Sequence, residues 1–239
     1  MRSSTTRTVA LVSLFPYFGL HLLSLLPLFG TVDAFAVATN GKMSKLITNK
    51  MCPFAQKAWI ALEVSQTPYT LQEISLYGPN GKPDWFWDLN PAGTVPVFVN
   101  SDKEQVYADS DLILDSIDTI RGDDSSGLST NSKHSQQIAE FRSKMKSFLP
   151  IGKSAVLGGS KKEMWDRLRE MDADVVGPYI CGDEVTVADC SAFPFLWRIE
   201  NAYGSFEKEG CERLHGWLQT CKANKSFSKT VQSSWWWWW

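Results

Sequence analysis

Apolar and polar residues follow two different periods along this chain, and the change falls near residue 130. Before it, short apolar runs are separated by helical stretches. Lys45 to Thr48 reads as a strand, and Pro53 to Ser65 as a helix with Phe54, Ala58, Trp59 and Leu62 on one face. Tyr69 to Ile74 is a second strand. The turn residues of Tyr77-Gly78-Pro79-Asn80-Gly81 mark a loop, and Pro83 to Leu89 a short helix whose Trp85, Phe86 and Trp87 are expected in the core. Val97-Phe98-Val99 lies in a β-rich run, and Gln105 to Tyr107 is the last strand. Asp109-Ser110-Asp111 then offers N-cap residues for a helix from Leu112 to Ile120. Strands alternating with helices predict an α/β unit.

Residues 121 to 132 are rich in Gly, Asp, Ser and Thr and read as a linker. Beyond them every apolar pattern is helical. Ile138, Phe141, Met145 and Phe148 recur at helical spacing, as do Met164, Leu168, Met171 and Val175 with Trp165 alongside. Thr186-Val187-Ala188-Asp189 resembles a capping box, with Asp where Glu or Gln is usual, and opens a third apolar helix through Trp197. The expected organisation is therefore an α/β domain over 45–121, a linker over 122–132 and an all-helical domain over 133–230. Residues 231–239 form a tail. It ends in five consecutive indoles, Trp235 to Trp239, which no helix or strand period can bury together. They read as a flexible tail, an interfacial membrane anchor or an artefact of the gene model, in that order.

The amino terminus follows neither period. Arg2 and Arg7 stand among Ser and Thr, an apolar run extends from Val9 to Phe29, and Val32-Asp33-Ala34 sets small residues at −3 and −1 of a cut before Phe35. Residues 1–34 are thus expected to be a signal peptide. A membrane anchor is disfavoured by Pro16 and Pro27 within the run and by His21 at its middle. Residues 35–44 begin with an aromatic residue and contain no acidic one, which resembles the transit segment of two-part plastid presequences. The resemblance implies a plastid, with the secretory pathway as the alternative.

At 239 residues and 44% hydrophobic content, the chain can build its core without a disulfide framework. Its formal charge is −2 and its Lys and Arg are scattered among acids, so nucleic acid is set aside as a partner. The five cysteines change the picture more. Cys211, Leu214, Leu218 and Cys221 share one helical stripe, which puts the two thiols roughly 15 Å apart, beyond disulfide reach. These two, with Cys181 and Cys190, read as core packing, and no zinc-ligand spacing is present, so no metal is expected. Cys52 differs because Pro53 follows it. Proline at a first helical position makes Cys52 the N-cap, where unpaired N–H groups and the helix dipole favour a thiolate.

Pro96, directly before a β-rich run, wants a special reason, since it would remove a ladder hydrogen bond from a central strand. A cis Val95-Pro96 bond supplies one. It would turn the Val95 backbone outward, ready to pair with a peptide-like ligand.

A strand, a Cys-Pro-Phe helix, a Val-Pro turn, an Asp-Ser cap and a helical domain together resemble the glutathione S-transferase superfamily. The chain resembles its dehydroascorbate reductase branch most, and the omega class next. Cys52-Pro53-Phe54, Lys82-Pro83-Asp84-Trp85-Phe86, Ala108-Asp109-Ser110-Asp111, Gly177-Pro178-Tyr179-Ile180 and Ser226-Phe227-Ser228-Lys229-Thr230 carry the likeness in order. It implies a thioredoxin-like domain with a mixed four-stranded sheet, an all-helical second domain, and glutathione as co-substrate of a monomeric enzyme. Cys52 would be catalytic. Pro53, Phe54, Thr94, Val95 and Pro96 would line the glutathione site, with Val95 pairing to the cysteinyl backbone. Asp109 and Ser110 would hold the γ-glutamyl end, and Lys82 the glycyl carboxylate. The pattern departs from many transferases in having Asp109 where they have Glu, and in a longer loop from Tyr77 to Gly81. Ala55 stands where a Cys-x-x-Cys motif has its second thiol, so a mixed disulfide on Cys52 must be released by a second glutathione.

The expected reaction is reduction of dehydroascorbate. Cys52 attacks the substrate at a carbonyl or through an oxidised sulfur; one glutathione forms the mixed disulfide as ascorbate leaves, and another regenerates the thiolate. The alternatives are an omega-type transferase acting on small disulfides, and a non-catalytic, membrane-associating protein resembling the chloride intracellular channel proteins.

Overall fold

The computed structural model describes residues 43–77, 81–122, 128 and 133–232. The expected presequence, the middle of the Tyr77 to Gly81 loop, nearly all of the linker and the five indoles lie outside them. Four strands, β1 (Lys45–Thr48), β2 (Thr70–Glu73), β3 (Val97–Asn100) and β4 (Gln105–Tyr107), form one mixed sheet in the order β2-β1-β3-β4. β1 runs parallel to β2, with Leu46 opposite Leu71, and antiparallel to β3, with Leu46 opposite Phe98; β4 closes the edge antiparallel to β3.

Successive strand residues face opposite sides. Leu46 and Phe98 enter the main core, while Ile47 and Val97 enter a smaller one shared with Ala55, Ile74, Phe86 and Val95. Helix α1 (Pro53–Val64) lies between the sheet and the helical half. Helix α2 (Asp84–Leu89) covers the smaller core through Phe86, with Leu89 packed against its margin. Trp85 and Trp87, expected beside it, are 42% and 45% exposed, because a six-residue surface helix has one inward face. Phe54 likewise points outward at 43% exposure, and Ala55 occupies the inward position of that turn.

The helix expected over Leu112 to Ile120 is two helices, α3 (Ser110–Asp115) and α4 (Ile117–Arg121). Ser116 separates them at φ −103°, ψ 9°, its side chain being a poor helix-interior group. The remainder is helical: α5 (Ser135–Val156), α6 (Lys161–Asp172), α7 (Val187–Tyr203), a 3-10 turn at Phe206–Glu209, α8 (Glu212–Ala223) and α9 (Lys225–Ser228). The expected apolar stripes on α5 and α6 are buried, as are Cys181, Cys190, Cys211 and Cys221, all without disulfides. α7 runs six residues past Trp197. Among the described residues no helix is long and apolar enough to cross a membrane. A thioredoxin-like α/β unit followed by an all-helical one is the architecture of the chain.

The C-terminal string Ser226 to Thr230 closes over α1. Phe227 packs edge-on against Phe193 at 5.0 Å, Lys229 pairs with Glu63 at 2.9 Å, and Thr230 accepts a hydrogen bond from Gln56 Nε2 at 2.9 Å through its hydroxyl.

Candidate active site

Cys52 is the N-cap of α1, with extended backbone at φ −77°, ψ 118°, and Pro53 opens the helix. The residue is half-buried, and its Sγ lies 3.9 Å from the Val95 carbonyl oxygen. The Val95-Pro96 bond is cis. The turn leading to it needs Gly93, whose φ is +65° and whose missing Cβ would stand 2.4 Å from the Trp87 ring. Asn90 closes the same turn, donating from Nδ2 to the Thr94 carbonyl at 2.8 Å. Cys52 and Val95 are thus brought together because the segment after β1 and the segment before β3 leave the same end of this antiparallel pair.

Asp109 is the N-cap of α3 and accepts N–H bonds from Asp111 at 2.8 Å and Leu112 at 3.0 Å; Ser110 behind it is buried. α3 packs on α1, and Lys57 of α1 pairs with Asp111 in the first turn of α3. Lys82 is turned to its own loop. Its ammonium donates to the Leu76 carbonyl at 3.3 Å and lies 5.4 Å from the Trp87 ring centre, and neither partner is among the expected glutathione ligands. Among the described residues no cluster of His, Cys, Asp and Glu is arranged to hold a metal.

The expected thiolate requires correction. Burial raises the Cys52 thiol above its ordinary pKa. Four groups oppose it: the N–H groups of Ala55 and Phe54, which face the sulfur without completing a cap hydrogen bond, and the cations Arg198 and Lys57. Withdrawal from water, invisible in a cap motif, outweighs the helix start.

Four neighbours of the site escaped the sequence reading. Lys57, one turn into α1, is 95% buried and pairs with Asp111; Arg142 from α5 reaches the same carboxylate at 3.3 Å. Gln56 is buried in α1, and Arg198 of α7 donates to its Oε1 at 2.5 Å. The signal for Arg198 was a lone charge ending the apolar run from Phe193 to Trp197.

Burial is the largest influence on Asp111 and would raise its pKa, but Lys57 and Arg142 together hold it below the usual carboxylate range. With the folded value below the unfolded one, the stabilisation is complete above the unfolded value and is lost as pH falls through the folded one. Thermal melts of wild type should therefore lose stability as pH drops below about 4, and Asp111→Asn should make that loss shallower while lowering the neutral midpoint by about 2 °C. Parallel acid slopes in the two proteins would refute this.

Comparison with known proteins fits this arrangement. The glutathione S-transferase N-terminal domain family matches residues 51–120, and the glutathione S-transferase C-terminal domain family residues 162–220. A relative in Arabidopsis thaliana, "Probable glutathione S-transferase DHAR4", is 31% identical over 191 residues, covering 75% of this chain and 83% of that protein. The chain belongs to the glutathione S-transferase family. It is accordingly a glutathione-dependent enzyme. "Glutathione S-transferase omega-1" of Mus musculus is 26% identical over 170 residues, covering 65% of this chain and 67% of that one. The solved structure of glutathione transferase Omega 1C from Trametes versicolor superimposes with a TM-score of 0.67 at 24% identity, covering 80% of this chain and 92% of that chain.

Proposed function

We propose that this glutathione S-transferase family member is a glutathione-dependent dehydroascorbate reductase with Cys52 as its nucleophile. The observation that carries the reading is a half-buried thiol at a helix start, 3.9 Å from the backbone of a Val-Pro turn. Such a turn offers β-type pairing to a peptide, and the adjacent start of α3 offers the Ser110 hydroxyl to a carboxylate. Pro53, Phe54, Thr94, Val95, Pro96, Asp109 and Ser110 are proposed as the glutathione contacts. Lys82 joins them if its ammonium leaves the Leu76 carbonyl for the glycyl carboxylate.

In the proposed cycle Cys52 sulfur adds to a carbonyl carbon of dehydroascorbate. A glutathione thiolate then attacks that sulfur: the S–S bond forms, the C–S bond breaks, and the carbon fragment takes the electron pair and a proton as ascorbate. A second glutathione attacks the glutathionyl sulfur, releasing Cys52 and glutathione disulfide. Two glutathiones supply the two electrons. We further propose the domain limits 45–121 and 133–230 with 122–132 as linker, and a plastid address for residues 1–44. Relatives from rice and Arabidopsis with "chloroplastic" in their names support the address.

A thioltransferase of omega type is the second reading, favoured by the match to the murine omega protein. Steady-state rates with glutathione and either dehydroascorbate or a small glutathione mixed disulfide separate the two. The reductase reading expects kcat/KM for dehydroascorbate at least equal to that for the disulfide. Turnover of the disulfide alone would transfer the assignment to the second reading, and no turnover with binding to liposomes would favour the membrane-associating alternative.

A further inference from the structure

Asn90 ends α2 and closes the turn that leads to Val95. Its backbone N–H donates to the Phe86 carbonyl at 2.8 Å, and its carbonyl accepts from the Gly93 N–H at 2.9 Å. The side chain, on a residue only 4% exposed, has two further tasks. Its Oδ1 accepts from the Ala92 N–H at 3.2 Å, while Nδ2 donates to the Thr94 carbonyl at 2.8 Å and to the Thr94 hydroxyl at 3.2 Å. The bonds from Ala92 and Gly93 already close the turn, so the bond to the Thr94 carbonyl is free to do something else.

That carbonyl and the Val95 N–H belong to one peptide unit. A trans peptide is planar and points its C=O and N–H in opposite directions, so an amide that draws the Thr94 oxygen inward turns the Val95 N–H outward. Among the described residues the Val95 N–H has no hydrogen-bond partner. An N–H left over in a residue 8% exposed needs an acceptor from outside the fold. The Val95 side chain is anchored in the smaller core beside Phe86, which leaves the peptide unit before it as the part able to rotate. On the outer side of the turn the Trp87 ring lies against Gly93, so α2 grips the loop from both faces.

We propose that Asn90 is a positioning residue for glutathione binding, acting through Val95: its Nδ2 fixes the Thr94 carbonyl and thereby aims the Val95 N–H at the peptide backbone of the ligand. The inference rests on the proposed pairing of Val95 with glutathione. Hydrogen bonds weaken steeply as their angle falls, so a rotated peptide unit leaves the loop folded and the ligand poorly held. The two ends of the Asn90 amide therefore have separable roles. Oδ1 shapes the turn, and Nδ2 orients what the turn presents.

The test is calorimetric titration of the full chain with glutathione, at pH 8 and well below the thermal midpoint of each variant. Asn90→Asp keeps the oxygen that Ala92 bonds and sets a carboxylate oxygen against the Thr94 carbonyl. Asn90→Ala removes both ends. Each should raise Kd about tenfold, the worth of one well-aligned hydrogen bond, with the number of sites per chain unchanged. A merely structural role would instead lower the number of competent sites and leave Kd alone. Either variant binding with the wild-type Kd overturns the proposal, as does a loss of sites without a change in Kd. If circular dichroism shows Asn90→Ala unfolded, the nearly isosteric Asn90→Asp decides by the same criterion. Wild type that fails to bind glutathione overturns the Val95 pairing and this inference together, whereas variants that match a binding wild type overturn the inference alone. Dehydroascorbate takes no part in the titration, so neither result bears on the reductase assignment.

Discussion

Cys52→Ser is expected to lower glutathione-dependent turnover more than about a thousandfold, about 4 kcal/mol of lost transition-state stabilisation, with the fold intact. The alcohol of serine ionises far less readily than a thiol, and it cannot form the S–S bond on which the proposed cycle depends. Burial already works against an anion at this position, so the site has no reserve with which to ionise a hydroxyl. The thiol makes no cap hydrogen bond to α1, whereas serine is a preferred N-cap, so the thermal midpoint should hold or rise. Initial rates alongside melting curves decide the matter. Activity within tenfold of wild type would remove Cys52 from the chemistry.

The largest effect on stability is expected at Asp189. Its carboxylate accepts from the Ile180 N–H at 2.9 Å, the Trp217 indole at 2.8 Å, the Thr186 N–H at 2.7 Å and the Thr186 hydroxyl at 2.9 Å. One side chain therefore starts α7, fixes the loop before it and anchors α8. Asp189→Ala strands those donors in a dry interior and removes half of the capping box. A loss of about 3–5 kcal/mol is expected, seen as a fall of about 10 °C in the thermal midpoint. Asp189→Asn keeps one good acceptor and should fall between. A midpoint within about 2 °C of wild type for the alanine variant would show that the network contributes little.

Local pattern revealed the elements of this fold wherever one face of an element decides its burial. Lys45 to Thr48, the stripes beginning at Ile138 and Met164, and the Thr186 capping box all appear where periodicity and cap chemistry place them. Trp85 and Trp87 went the other way because the helix that carries them has too few residues to bury three aromatics. At the candidate site, Cys52 at a helix start was legible from Pro53 alone. The charge state of its sulfur was not, since that depends on how deeply tertiary packing buries it. Lys57 and Arg198 are buried only through packing between elements, which no local pattern displays.

The bond between Gln56 and Thr230 joins residues 174 apart. During synthesis, α1 emerges from the ribosome long before its final partner is translated, and it must wait for the carboxyl-terminal string before its buried amide is fully bonded. Arg198, which donates to the oxygen of that amide, arrives late as well. A nascent chain thus carries Cys52 without its finished surroundings until Thr230 has been made.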